Sequence, residues 1–397
     1  MSVTGFAPLE GVRVIEMSHM IMGPSCGMFL AFLGAEVIKV EPPEGDKTRD
    51  LTGMGRGFFP TFNRGKKSIT LDLKSEAGRA ALDELLKDAD VFVENFRDSS
   101  LAAMGFAPSV LRQRHPKLIV ASCKGFLHGP YENRTAMDEV VQMMTGMAYM
   151  TGPTGRPLRI GSSANDIMGG LFGAFSVLAA LMQRDRDGQG HAVRIGLFEN
   201  CLLLVAQHMV QYDIEGTEAP PMPEREFSWP VYDIFHTSDA QPIFVGAVTE
   251  GQWAKLCDVL GLAELKADSR LQTRPDQIKA REWTLPIIAN AIACQTYAPL
   301  ASALERDGIP FSPIARPAQM YDDPHVTRPG GLMTSALPEG GSYRAPGLPF
   351  EVDGLPAVPA SVDLPDVGDD TAEILGALGL GSDEIRTASG QARRQVA

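Results

Sequence analysis

The chain has 397 residues with 36 basic and 49 acidic side chains, a net charge of −13, and 44% hydrophobic content. An acidic surface of this kind argues against nucleic acid or an anionic membrane as partner. The length exceeds what one hydrophobic core normally organises, so two domains are expected.

The elements begin with VRVIEM (12–17), a short β-rich run, followed by GPSCGMFLAFLGA (23–35) with helix character and EVIKVEPP (36–43), a strand stopped by two prolines. Strand, helix and strand in about thirty residues form a βαβ unit, which calls for a parallel, helix-covered sheet. The alternation continues through SITLDL (68–73), EAGRAALDELLKDA (76–89), DVFVENF (90–96) and LIVASCKGF (118–126). DEVVQMMTGMAYMTG reads as helical as far as its glycines, and the helix after GSSANDIMGG (161–170) runs through Met182. AVRIGLFE (192–199) reads as a further strand. EGTEAPPMPEREFSWP (215–230) is a proline-rich linker, VYDIFHTSDAQPIFVGAV a hairpin, and the stretch 251–307 helical. MTSALPEGGSYRAPGLP makes a second irregular connection, DDTAEILGALGL is the final helix, and the polar tail beyond it is expected to fray. The predicted organisation is a large α/β domain in 1–214, a linker in 215–230, a smaller α+β domain in 231–330, and a second linker with a return to the large domain in 331–397.

Few motifs survive inspection. The first βα turn, SHMIMGPSCG, lacks the glycine spacing that cradles a pyrophosphate, although Glu41 at the next strand end has the right chemistry for a ribose. No GxxxxGK[ST], HExxH or GxSxG occurs, and the seven histidines lack ligand spacing, so no metal is expected. His19 and His115 read first as structural residues. Cys26, Cys123, Cys201, Cys257 and Cys294 are widely spaced without a CxxC, which predicts free thiols in a reducing cytoplasm. MSVTGFAPLEG lacks a basic-then-apolar leader, and no bilayer-spanning apolar run is expected. Asp166 is the one charged residue of GSSANDIMGG, at the mouth of an apolar helix. On local grounds it is either an N-cap or a nucleophile.

A resemblance decides between them. GVRVIEMSHMIMGP, FLGAEVIKVEPPEGDKTR, FNRGKKSITLDLKSEAGR, ADVFVENFR, GFLHGPYENRTAMDEVVQMMTG, NDIMGGLFGAFSVLAAL, GQGHAVRIGLFE and, late, DGIPFSPI and APGLPF occur in order. Together they resemble the class III CoA-transferases, the family that includes formyl-CoA transferase, carnitine CoA-transferase and α-methylacyl-CoA racemases. The likeness covers nearly the whole chain, and VIKVE, LDLK and VENFR at these spacings carry most of it.

The resemblance implies an open, parallel, Rossmann-like large domain built from both chain ends, a small domain, and an interlocked ring-like homodimer. It implies that Asp166 attacks an acyl-CoA thioester to give an aspartyl-acyl anhydride, after which a carboxylic acid exchanges and the thioester re-forms. Helix-start amides would keep Asp166 ionised, and Gly161, Ser162, Ser163, Gly169 and Gly170 would admit the thioester. Coenzyme A contacts fall on Ile21, Met22, Leu71, Asp72, Lys74, Asn95, Phe96, Arg97, Asp138 and Glu139. Ala103 and Ala136 replace phosphate-binding Arg and Lys of formyl-CoA transferase, and Ile21 replaces its Gln. Racemases of the family carry a His where Met137 stands, so an isomerase is the second reading and a CoA-binding protein without turnover the third. Arg49, Arg156, Arg159 and Arg225 favour small dicarboxylates, with succinyl-CoA or a related thioester as donor.

Overall fold

The structure is a computed structural model that describes residues 6–225 and 227–391. The chain divides into two compact units, one running to Pro223 and resuming at Pro324, the other spanning Glu224–Asp323. The first unit holds a six-stranded sheet in the order β3-β2-β1-β4-β5-β6. Its strands are β1 (Arg13–Met17), β2 (Glu36–Glu41), β3 (Lys67–Thr70), β4 (Val91–Glu94), β5 (Ile119–Lys124) and β6 (Ala192–Gly196). Every neighbouring pair is parallel. The apolar runs predicted this, since a parallel sheet buried on both faces needs hydrophobic residues at successive positions. Val14 accordingly belongs to the core on one face and Ile15 to the core on the other.

One face is covered by α1 (Met22–Phe32), the other by α2 (Glu76–Lys87). Further along come α3 (Asp138–Met144), α4 (Ala164–Asp187) and α5 (Leu197–Glu215). The last is a 19-residue helix beginning where the sequence reading continued a strand to residue 199. Helix α4 lies directly against α1. A Cβ on Gly169 would come within 2.9 Å of Met22 Cε, one on Gly170 within 2.0 Å of Ser25 Oγ, and one on Gly173 within 2.9 Å of Cys26 Sγ. Gly169 and Gly170 thus let the two helices approach closely.

The expectation about membrane-length runs also needs correction. Helix α4 has the length and mean hydropathy, 1.4, of a membrane span. Within its most apolar stretch, 44% is buried inside the protein.

The C-terminal segment differs from its prediction as well. Leu332–Ala336 and Ser342–Pro346 pair as an antiparallel hairpin rather than an irregular linker. Tyr343 Oη donates to Pro60 O at 2.6 Å and Arg64 Nη2 donates to Pro346 O at 3.0 Å. The chain then reaches the open edge of β3, where Ser68 N donates to Asp370 Oδ2 and Thr70 N to Thr371 Oγ1. That covers an edge strand whose unpaired amides would otherwise recruit another strand. A helix, Ser382–Ala388, follows the one predicted to be last, so order persists past Gly381, and the remainder of the predicted frayed tail, 392–397, lies outside the described residues.

The second unit has a three-stranded antiparallel sheet of Val231–His236, Pro242–Ala247 and Phe311–Pro313. Helices including Glu250–Val259, Arg281–Ala293 and Tyr297–Arg306 close its own core around Trp253, Ile288 and Leu300.

Candidate active site

The C-terminal strand ends of the sheet carry charge in a row. Glu16 on β1, Lys39 on β2, Glu94 on β4 and Lys124 on β5 are all buried. Lys66 Nζ lies 2.6 Å from Glu16 Oε2, and Lys39 Nζ lies 3.0 Å from Asp46 Oδ2 and donates to Ser18 O at 2.7 Å. Burial pulls the Lys66 ammonium down to about 8 against the attraction of Glu16. Gly27 is needed here, because a Cβ would sit 1.8 Å from Glu16 Oε2. The network fixes the turn after β1, where Asn95 holds His19 from both sides: His19 N donates to Oδ1 and Asn95 Nδ2 donates to His19 O. Met20, in that turn, has φ of +64°, a strained conformation for a side chain with a Cβ, and Thr48 Oγ1 accepts its N–H.

Above this turn lies a cavity of about 450 Å³. Ile21, Met22, Phe58, Ala136, Met137 and Leu197 give it apolar walls; His19, Asn95, Lys124, Arg159, Asp138, Glu139 and Asp166 supply its polar groups. Ligands of open α/β sheets bind at the carboxyl ends of the strands, where this cavity sits.

Asp166 is not the N-cap of α4; that position is Ser163, whose side chain makes no capping bond. No described residue donates a hydrogen bond to the Asp166 carboxylate. Burial and, next, the charge of Asp138 push it up to about 7, with Arg159 opposing. The helix-start amides expected to keep Asp166 ionised make no hydrogen bond to its carboxylate, and burial with a like charge raises it instead. Nor is Asp166 isolated in space. Its backbone N–H donates to Asp138 Oδ2 at 3.0 Å, and Arg159 Nη2 lies 4.0 Å from Asp138 Oδ1. Behind it, Asn165 Nδ2 donates to Leu197 O, and Asn200 Nδ2 donates back to Asn165 O at 2.9 Å.

The other polar groups are poorer nucleophiles or bases. Lys124 is neutralised by Glu94 at 2.8 Å and Asp98 at 2.9 Å. The Cys123 thiol is held well above its usual range by its bond with Cys26 and by burial. Burial lowers His19, leaving a neutral imidazole.

Of the residues singled out in the sequence, Ile21, Met22, Asn95, Asp138, Glu139 and Asp166 meet in the cavity. Phe96 packs beside it against His19, and exposed Arg97 donates to Thr135 Oγ1 at 3.0 Å. Leu71 is core, buried Asp72 accepts from Lys74 N and donates its own N–H to Ala388 O, and Lys74 is exposed. These three follow the far edge strand and do not line the cavity. Glu41 is buried and committed to Arg49 at 2.6 and 2.8 Å, which rules it out as a ribose ligand and removes Arg49 from the cavity. Arg156 is exposed outside it, and Arg225, which stacks on Phe227, belongs to the second unit. Sequence reasoning missed Gln142, Lys124 and Phe58. For Gln142 the one available signal was its i+4 spacing from Asp138.

Residues 9–371 match the sequence pattern of CoA-transferase family III. The chain belongs to that family. It is similar to a succinate–glutarate CoA-transferase of Agrobacterium fabrum, at 32% identity over 81% of this chain and 84% of that one. A succinyl-CoA–D-citramalate CoA-transferase of Chloroflexus aurantiacus is 32% identical over 98% of both chains. Among solved structures, a CaiB/BaiF family protein from Brucella suis superposes with a TM-score of 0.84 at 30% identity, covering 94% of this chain and 99% of that one. For a CoA-transferase the cavity has a suitable division of labour. Apolar walls limit water at the strand ends, and one buried carboxylate, Asp166, faces the same cavity.

Proposed function

We propose that this CoA-transferase moves CoA from a succinyl-CoA-like donor to a small dicarboxylate, through an acyl anhydride on Asp166. The observation that carries the reading is the Asp166 carboxylate itself, set in the cavity at the strand ends among apolar walls, where burial pushes it up to about 7. Near neutrality a useful fraction is ionised, and that fraction lacks the hydration that makes carboxylates weak nucleophiles. An Asp166 oxygen attacks the thioester carbon and the C–S bond breaks, leaving the acyl-aspartyl anhydride and CoA thiolate. The acceptor carboxylate attacks the Asp166 carbonyl carbon of the anhydride and expels the donor carboxylate, giving the acceptor-aspartyl anhydride; the thiolate then attacks the acceptor's acyl carbon, releasing the new acyl-CoA and the Asp166 carboxylate.

Arg159 supports the dicarboxylate part. Arg159 lines the cavity; its Nη2 donates to Ser162 O and its Nε to Ile160 O, and its contacts to Asp138 and Glu139 are long, at 4.0 and 3.7 Å. Cavity-lining Ile21, Met22 and Asn95, with Phe96 and Arg97 beside them, are assigned to CoA, and Lys74 to its distal phosphates. The proposal includes a homodimer acting in the cytoplasm. Leu171, Phe175 and Met182 on α4 and Leu203, Met209 and Val210 on α5 are exposed apolar side chains that such a partner would cover.

The test is chemical trapping. Wild type incubated with succinyl-CoA and hydroxylamine should yield a hydroxamate at Asp166, and Asp166→Ala should lose transfer while still binding CoA. A tenth or more of the activity remaining in Asp166→Ala would sink the nucleophile role.

A further inference from the structure

The first turn of α4 has backbone donors that its own N-cap side chain does not serve, since Ser163 makes no side-chain bond. Four amides at a helix start need outside partners. The partner of Asp166 N–H is the Asp138 carboxylate, 28 residues earlier in the chain, at the start of α3. The second oxygen of Asp138 accepts from Gln142 Nε2, one turn along α3. Gln142 Oε1 in turn accepts Ile160 N–H at 3.0 Å, which ties down the segment leading to α4. Asp138 is 7% exposed and Gln142 0%. Both carboxylate oxygens are therefore committed inside the protein, and little of the group faces a ligand.

We infer that Asp138 is a positioning residue for Asp166 rather than a CoA contact: it caps the helix carrying the nucleophile and, braced by Gln142, sets its electrostatic environment. The inference rests on the proposed role of Asp166, but its geometry does not depend on any substrate. A neutral cap would hold the backbone equally well. A charged one also opposes ionisation of its neighbour, so the cap keeps Asp166 partly protonated near neutrality. The pair divides two jobs between like groups, one fixed by hydrogen bonds and one left without them.

Other charges face Asp166 from each packed element. Arg159 acts from the preceding segment and opposes Asp138. Glu139 comes from α3, His19 follows β1, and Lys124 ends β5. Of the nearby thiols, Cys123 on β5 lines the cavity, while Cys201 on α5 lies outside it and accepts a hydrogen bond from Thr145 Oγ1. Lys124 is already paired with Glu94 and Asp98, and the raised thiols stay uncharged. Asp138 is thus the group whose neutralisation most changes the field at Asp166.

The experiment is a carbon-13 titration of aspartate carboxyls in the full-length protein, with Asp166 assigned by its absence in Asp166→Asn. The wild-type Asp166 signal should titrate near 7, and in Asp138→Asn its midpoint should move down by about one pH unit, because burial remains and only the like charge is gone. This readout needs no turnover, so it stands apart from failure of the transferase reading, which would show as absent CoA exchange in wild type. In the transfer assay, Asp138→Ala should lower kcat by about a hundredfold, as expected for a misplaced reacting group, with KM for succinyl-CoA nearly unchanged. Gln142→Leu keeps both carboxylates and should lower kcat while leaving the titration near 7. An Asp166 signal that titrates identically in wild type and Asp138→Asn overturns the inference. So does an Asp138→Ala enzyme with normal kcat and a raised KM for succinyl-CoA.

Discussion

Replacing Asp166 by Asn should make the protein more stable at pH 8 and leave it unchanged at pH 4. The unfolded chain releases this proton near 4, whereas the folded chain holds it to about 7. Between those values the folded state binds more protons, so raising the pH weakens folding through this group, and above about 7 the loss is complete. Holding the proton from near 4 to about 7 corresponds to roughly 4 kcal/mol, and water reaching the cavity mouth trims that to about 2–3 kcal/mol. Asn has the same shape and no charge, so it escapes the penalty altogether. For a chain of this size the gain at pH 8 amounts to about 3 °C in Tm. Calorimetry or urea unfolding of both proteins at pH 4, 6 and 8 makes the comparison, with the gap opening as pH rises. A gap of equal size at all three pH values would refute the reasoning, as would a wild type more stable at pH 8. Such a result would mean that Asp166 is not held in a desolvated, like-charged site.

Two further outcomes follow from the same geometry. Glu16→Gln removes the carboxylate 2.6 Å from Lys66 and leaves two buried ammonium groups short of an anion, so urea unfolding should show a loss of about 3–5 kcal/mol. Arg159→Met should raise KM for succinate or glutarate by about tenfold or more while sparing acetate, because a bidentate cation for the far carboxylate is lost; equal effects on mono- and dicarboxylates in steady-state kinetics would remove Arg159 from acid recognition.

The sheet was legible because its information is local. Apolar β-branched runs such as VRVIEM and EVIKVE, each followed by a turn and a helix, specify strands buried on both faces, and short crossovers leave them few ways to pair. Asp166 was also visible as a lone charge among small residues opening an apolar helix. The segment 331–349 misled for the same local reason: its glycines and prolines read as linker, while the burial of Met333, Ser335 and Ala345 that makes it a hairpin comes from packing.

What surrounds Asp166 was decided by the tertiary structure. Asp138 reaches its amide only because α3 and α4 start at the same end of the sheet, and Gln142 bridges to Ile160 only because the intervening chain folds back. The glycines of α4 look, along the sequence, like room for a substrate; in space they are the surface on which α1 rests. Arg49 looks like a substrate ligand until Glu41 is found beside it. Local propensity and spacing are carried by neighbouring residues. The ionisation of a carboxylate depends instead on every charge and dipole within a few ångströms, and on how much water remains there, and those neighbours are brought together only by the packing of helices on the sheet.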